Sequence, residues 1–129
     1  MNDTGFHTLW DISGAAKGLL QDATTLHAFF KGELLNAGFT VLNDVIHKFD
    51  SGGEGVTGLF LLSESHLSYH TYPETHYISI DVYTCGHANA SINATIYKHF
   101  EHATSLHRVT LTRGSCPPLT CRGRHETHR

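Results

Sequence analysis

The chain has no run of basic residues: among its 129 residues, 9 Lys and Arg are outnumbered by 12 Asp and Glu, for a formal net charge of −3. A nucleic-acid or anionic-membrane surface needs clustered positive charge, so neither is expected as a partner. Long apolar runs are also missing. Stretches such as Leu59–Leu62 fall far short of the roughly 20 residues a membrane helix needs. Met1-Asn2-Asp3-Thr4 lacks the basic segment and apolar run of a secretory leader, so the expected location is the cytoplasm. Cysteine is scarce and odd in number, with only Cys85, Cys116 and Cys121, which argues against a disulfide framework. What remains is one domain of ordinary apolar content (40%), able to form a core yet small enough to benefit from assembly.

Histidine, by contrast, is abundant at twelve residues. His99 and His102 fit one helix face and His125 and His128 lie near the C-terminus, but no HExxH or paired CxxC pattern accompanies them. No metal site is expected, and scattered surface histidines account for the count. Asn89-Ala90-Ser91 and Asn93-Ala94-Thr95 match glycosylation sequons, which without a secretory route are chance matches.

Phe6–Ser13 reads as a first strand closed by Gly14. Across Asp22–Ala37, Leu26, Phe29, Phe30, Leu34 and Leu35 recur at helical spacing, and Gly38 is a good stop. Phe39–Phe49 is β-branched and aromatic, followed by a turn at Asp50–Gly55. Val56–Leu62 and His66–Tyr72 are two further strand candidates around the Glu64–Ser65 bond, and Tyr77–Thr84 alternates Ile78, Ile80 and Val82 on one face. Ala90–Ala103 predicts a second helix and Ser105–Thr112 a last strand, with residues 114–129 as a tail. Short connections favour antiparallel pairing, and two helices can cover only one face of the sheet. The expected fold is therefore α+β, a two-layer α/β sandwich with an open sheet face that is solvated or used in a dimer.

The chemistry concentrates in Leu62-Ser63-Glu64-Ser65-His66-Leu67-Ser68-Tyr69-His70-Thr71-Tyr72-Pro73-Glu74, followed by Thr84-Cys85-Gly86. A serine hydroxyl becomes a nucleophile when a turn holds it against the preceding carbonyl and a base takes its proton. Attack of Ser65 on the Glu64 carbonyl converts the peptide bond to an ester. Loss of the Ser65 α-proton then expels the Glu64 carboxylate by β-elimination. The resulting dehydroalanine tautomerises to an imine, which water hydrolyses to a pyruvoyl group with release of ammonia. The Glu64 side chain itself need take no part. His70 lies five positions after Ser65, and an imidazole is the side-chain type best suited to act as such a base.

These residues resemble the short prokaryotic class of S-adenosylmethionine decarboxylase proenzymes, and weaker similarity runs from Gly5-Phe6-His7 through His47-Lys48-Phe49 to about Gly114. The resemblance implies the two-layer fold, cleavage into a β chain (1–64) and an α chain (65–129), and a pyruvoyl cofactor made from Ser65. That ketone takes the substrate amine and accepts electrons as carbon dioxide leaves. It implies His70 as the processing histidine, and it puts Thr57 where relatives often carry an assisting serine. Cys85 falls on the catalytic acid. As a lone residue in Thr-Cys-Gly it would read as a buried small apolar side chain; alongside Ser65 and His70 it reads as the acid. Phe49 and Tyr72 fall on the pair that stacks the adenine, and Glu74 on the ribose ligand. Isolated aromatics more often belong to the core. The implied partners are a small-molecule substrate and a second αβ protomer in a homodimer.

The chain also departs from the pattern. Asp11, Ser13, Gly14 and Ala15 replace a glutamate, an aromatic and a Gly-Cys. The turn after Phe49 is about two residues longer than is common. His76 stands where glycine is usual, and His87-Ala88-Asn89-Ala90 replaces an acidic, proline-containing segment. The self-processing residues are untouched, but the substrate is left open, since some relatives decarboxylate ornithine or arginine. A non-catalytic paralogue is a third reading, and retention of Ser65, His70 and Cys85 argues against it.

Overall fold

Period-two alternation organises the molecule. In a computed structural model that describes residues 3–63, 65–85, 88–115 and 124–128, seven strands form one antiparallel sheet in the order β2-β3-β4-β5-β1-β6-β7. The strands are β1 Gly5–Ser13, β2 Val41–Lys48, β3 Val56–Leu62, β4 Ser65–Tyr72, β5 Tyr77–Thr84, β6 Ser105–Arg113 and β7 Arg124–His128. Trp10 and Ile12 of β1, Phe60 of β3, Leu67 and Tyr69 of β4, and Ile78, Ile80 and Val82 of β5 are all buried. Their alternate neighbours project from the opposite, open face.

The buried face meets the helices α1 (Lys17–Gln21), α2 (Ala23–Asn36) and α3 (Ala88–His99). Asp22 caps α2 by accepting the Thr25 N–H at 3.1 Å. At its other end Gly38 adopts φ +93°; its N–H reaches Leu35 O and that of Phe39 reaches Leu34 O, both at 3.0 Å. That pair of bonds is a Schellman stop, which favours glycine in the left-handed conformation. α2 is fastened to the sheet by one polar relay. His27 bonds the Tyr69 hydroxyl at 2.7 Å through Nδ1 and the Asp44 carboxylate at 2.8 Å through Nε2, and stacks on Phe60.

The α+β class and antiparallel sheet agree with expectation, and the bounds of β3 and β5 coincide with those read from the sequence. Three differences have physical causes. α1 has only five residues, too few to display helical periodicity. α3 starts at Ala88 and ends at His99 rather than spanning 90–103: hydrophobicity does not mark buried Asn89 at its start, and buried Phe100 and Ala103 continue the apolar pattern past its end. Arg124–His128, expected within a tail, pairs with β6 as β7, a strand of polar residues that carries no apolar alternation. Among the described residues, no helix is long and apolar enough to cross a membrane.

Candidate active site

The β3–β4 hairpin carries most of the candidate residues and sends them to its two ends. At the closed end, Ser65 opens β4 opposite Leu62, and Glu64 lies outside the described residues. The pairing of His66 with Tyr83 places Cys85, just past β5, at this same end. Ser65 and Cys85 are both half-buried. At the other end Thr57 faces His70 across the ladder, and its hydroxyl lies 3.1 Å from His70 Nδ1. The hydroxyl and the imidazole expected to cooperate are thus in contact.

Ser65 and His70 do not come together within one chain. β4 is continuous from Ser65 to Tyr72, and five steps at strand rise separate the two residues by about 17 Å. The expectation that His70 could fold back beside the Ser65 turn is not met in a single protomer.

Around His70 lies a cleft of about 510 Å³ lined by Phe49, the 51–55 loop, Thr57, Tyr72 and Glu74. Phe49 and Tyr72 are 46% and 45% exposed, so they are not core aromatics. The loop is held at its base: Lys48 Nζ donates to Gln21 O at 2.7 Å and Glu54 O at 2.8 Å, and Gln21 Nε2 to Gly53 O at 3.1 Å. Glu74 belongs to a 3-10 turn, Pro73–Thr75, and its carboxylate packs on Gly53 so closely that a Cβ there would lie 1.9 Å from Oε1. Glycine at this position lets loop and carboxylate share one wall of the cleft. The next residue but one, His76, has φ +56°, which explains why glycine would suit it. Its Nδ1 lies 3.1 Å from Ala15 O, a contact glycine could not make.

A polar strip that the sequence reading missed crosses the open face between the two ends. Ser68 Oγ donates to Asp81 at 2.8 Å, and His66 and His7 approach the same carboxylate at 3.7 and 3.8 Å. Burial lowers the His7 pKa, with Asp81 opposing. Alternation along β1, β4 and β5 placed all three side chains on one face, which was the available signal. Two imidazoles and a carboxylate within 4.8 Å of one another resemble a metal donor set. Arg113, however, lies 3.4 Å from His7 Nδ1; as a donor it holds the ring in its Nε2–H form and adds positive charge, so the trio does not fit a cation. Nearby, Tyr77 donates a short hydrogen bond to Asp11; burial and then that carboxylate push the Tyr77 hydroxyl up to about 12.

The family model for S-adenosylmethionine decarboxylase matches residues 6–114. The chain belongs to the S-adenosylmethionine decarboxylase family. It is 35% identical over 117 residues to the S-adenosylmethionine decarboxylase proenzyme of Geobacillus kaustophilus, covering 91% of this chain and 93% of that one. It is 43% identical over 82 residues to the proenzyme of a Synechococcus strain, covering 64% and 62% of the two chains. In fold it is similar to the crystal structure of the adenosylmethionine decarboxylase from Aquifex aeolicus, with TM-score 0.80 at 24% identity over 92% of this chain and 97% of that chain. Within this S-adenosylmethionine decarboxylase family member, the sequon asparagines Asn89 and Asn93 are 8% and 3% exposed and hydrogen-bonded, which closes them to glycosylation in the folded chain.

Proposed function

We propose that the chain is a pyruvoyl-dependent S-adenosylmethionine decarboxylase that makes its own cofactor by serinolysis at Glu64–Ser65 and supplies the aminopropyl donor for spermidine synthesis. The observation that carries this reading is the pairing of Thr57 with His70 beside a cleft walled by two half-exposed aromatics and a carboxylate. Ser65 would bear the pyruvoyl group, whose ketone supplies the electron sink for decarboxylation. Cys85, at the same end of the sheet, would return a proton to the reacting carbon. Phe49 and Tyr72 offer faces for adenine and for a nearby sulfonium, and Glu74 offers a carboxylate for ribose hydroxyls.

The separation of Ser65 from His70 has a direct consequence. A general base must lie within about 3 Å of the proton it takes, so the His70 that serves one Ser65 belongs to a second copy. Two-fold pairing of open faces about an axis that runs across the strands reverses β4 against its mate and sets the Ser65 end of each protomer over the His70 end of the other. Leu9, Val45, Leu59, Leu61 and Leu111 on that face are 37–62% exposed, apolar area that such pairing would cover. The resulting two-layer protomers form a homodimer with two composite sites.

An ornithine or arginine decarboxylase would instead need an acidic group facing the distal amine or guanidinium, Asp11 or Glu74. Carbon dioxide release measured side by side from S-adenosylmethionine, ornithine and arginine tests the reading. Release from the first is expected; release only from a basic amino acid would replace the substrate, and release from none would remove the activity.

A further inference from the structure

The connection that carries Cys85 is short: it leaves β5 at Thr84 and enters α3 at Ala88. Both of its ends are tied by side chains buried in the core. Asn89 Nδ2 donates to Thr84 Oγ1 at 2.9 Å, bridging the last strand residue to the first helical turn. Asn93 fixes Asn89 in turn, its Nδ2 reaching Asn89 Oδ1 at 2.8 Å and Asn89 O at 3.0 Å. Asn93 is itself anchored to β1, taking the Trp10 Nε1–H at 2.8 Å on its Oδ1 and reaching Thr8 Oγ1 at 3.0 Å. Thr8 and Thr84 are fully buried, and Trp10 and Asn93 are nearly so. Burying two amides costs desolvation that apolar residues would not incur. Asn93 supplies the partner that the buried Trp10 N–H requires, and Asn89 carries the chain of bonds on to Thr84. The bonds converge on the connection bearing the thiol.

We propose that Asn89 and Asn93 are positioning residues that hold Cys85 at the Ser65 end of the sheet by clamping the Thr84–Ala88 connection. The role rests on Cys85 being the acid of the proposed decarboxylase. Rotation of the connection would move the thiol relative to residue 65 without disturbing the hairpin that cleaves. Processing therefore survives loss of the clamp, and proton return does not.

The test reads the thiol directly, in the uncleaved Ser65→Ala chain, by peptide-resolved mass spectrometry of iodoacetamide alkylation at fixed pH. Thr84→Val removes the hydroxyl end of the clamp with little change of shape, and Asn89→Ala removes the other end. Each is expected to raise the Cys85 alkylation rate about fivefold or more, the factor that losing one buried hydrogen bond gives a local opening. The double variant should do no more than either single one. Asp44→Asn, which weakens the fold through the separate His27 relay, is the control and should leave the rate within about twofold, since distant sites act independently. Unchanged alkylation in both clamp variants, or an equal rise in Asp44→Asn, would overturn the proposal. In cleaving enzyme, Thr84→Val should process normally and lose kcat while KM for S-adenosylmethionine holds; impaired cleavage would contradict it. Should wild type release no carbon dioxide, the decarboxylase reading fails while the alkylation result still judges the clamp.

Discussion

At the residue scale, the proposed chemistry separates making the cofactor from using it. Cys85 is assigned to use alone, so Cys85→Ser should cleave at Glu64–Ser65 and then turn over poorly, a hydroxyl being a far weaker acid than a thiol. Intact mass and carbon dioxide release on the same sample check this, and normal turnover would remove Cys85 from the mechanism. Tyr72, half-exposed at the cleft, is assigned to adenine. Losing one stacking aromatic costs on the order of 1–3 kcal/mol, so Tyr72→Ala should raise KM for S-adenosylmethionine roughly 5- to 150-fold. Tyr72→Phe keeps the ring face and should change KM little. Both roles come from the family resemblance; taken alone, Cys85 and Tyr72 read as ordinary strand-end and core side chains. His7, His66 and Asp81 were not legible in the sequence, because the strip they form is assembled from three strands.

At the element scale, α2 and the edge strand β2 depend on the His27 relay. The hydrogen bond from His27 holds the Asp44 carboxyl below the ordinary carboxylate range, with Lys31 adding to the effect. A depressed folded-state value means that Asp44 contributes stability above its unfolded value of about 3.9, and that this contribution is lost as pH falls through the folded value. Asp44→Asn should lower stability at neutral pH and flatten its fall below about pH 4. Urea unfolding across a pH series measures both, and an unchanged acid limb would remove Asp44 from the linkage. Strand positions were readable here because alternation is strict in β3 and β5. The limits of α3 were not, since buried Asn89 hides its start from hydropathy and buried Phe100 and Ala103 extend the apolar pattern beyond its end.

At the scale of the whole molecule, about 17 Å of continuous β4 separates Ser65 from His70 within one protomer, and the proposed dimer completes each site from two copies. Sedimentation should show a dimer of cleaved pairs at working concentration; a monomer that still decarboxylates would contradict the composite site. Co-expressing Ser65→Ala with His70→Ala chains should cut only the His70→Ala chain, which keeps its serine and borrows a histidine. If neither chain is cut in the mixed dimer, processing does not cross between copies. Ser65 and His70 stand out through the family resemblance; their separation went unread although 66–72 reads as a strand, whose rise sets the distance.

The account stands or falls on a cofactor made by the chain itself. Denaturing mass spectrometry of purified protein should find fragments 1–64 and 65–129 in equal amounts, the second beginning with a ketone that borohydride reduces, while Ser65→Ala stays whole. A wild-type chain that remains uncut at Glu64–Ser65 and yet decarboxylates S-adenosylmethionine at full rate would contradict it.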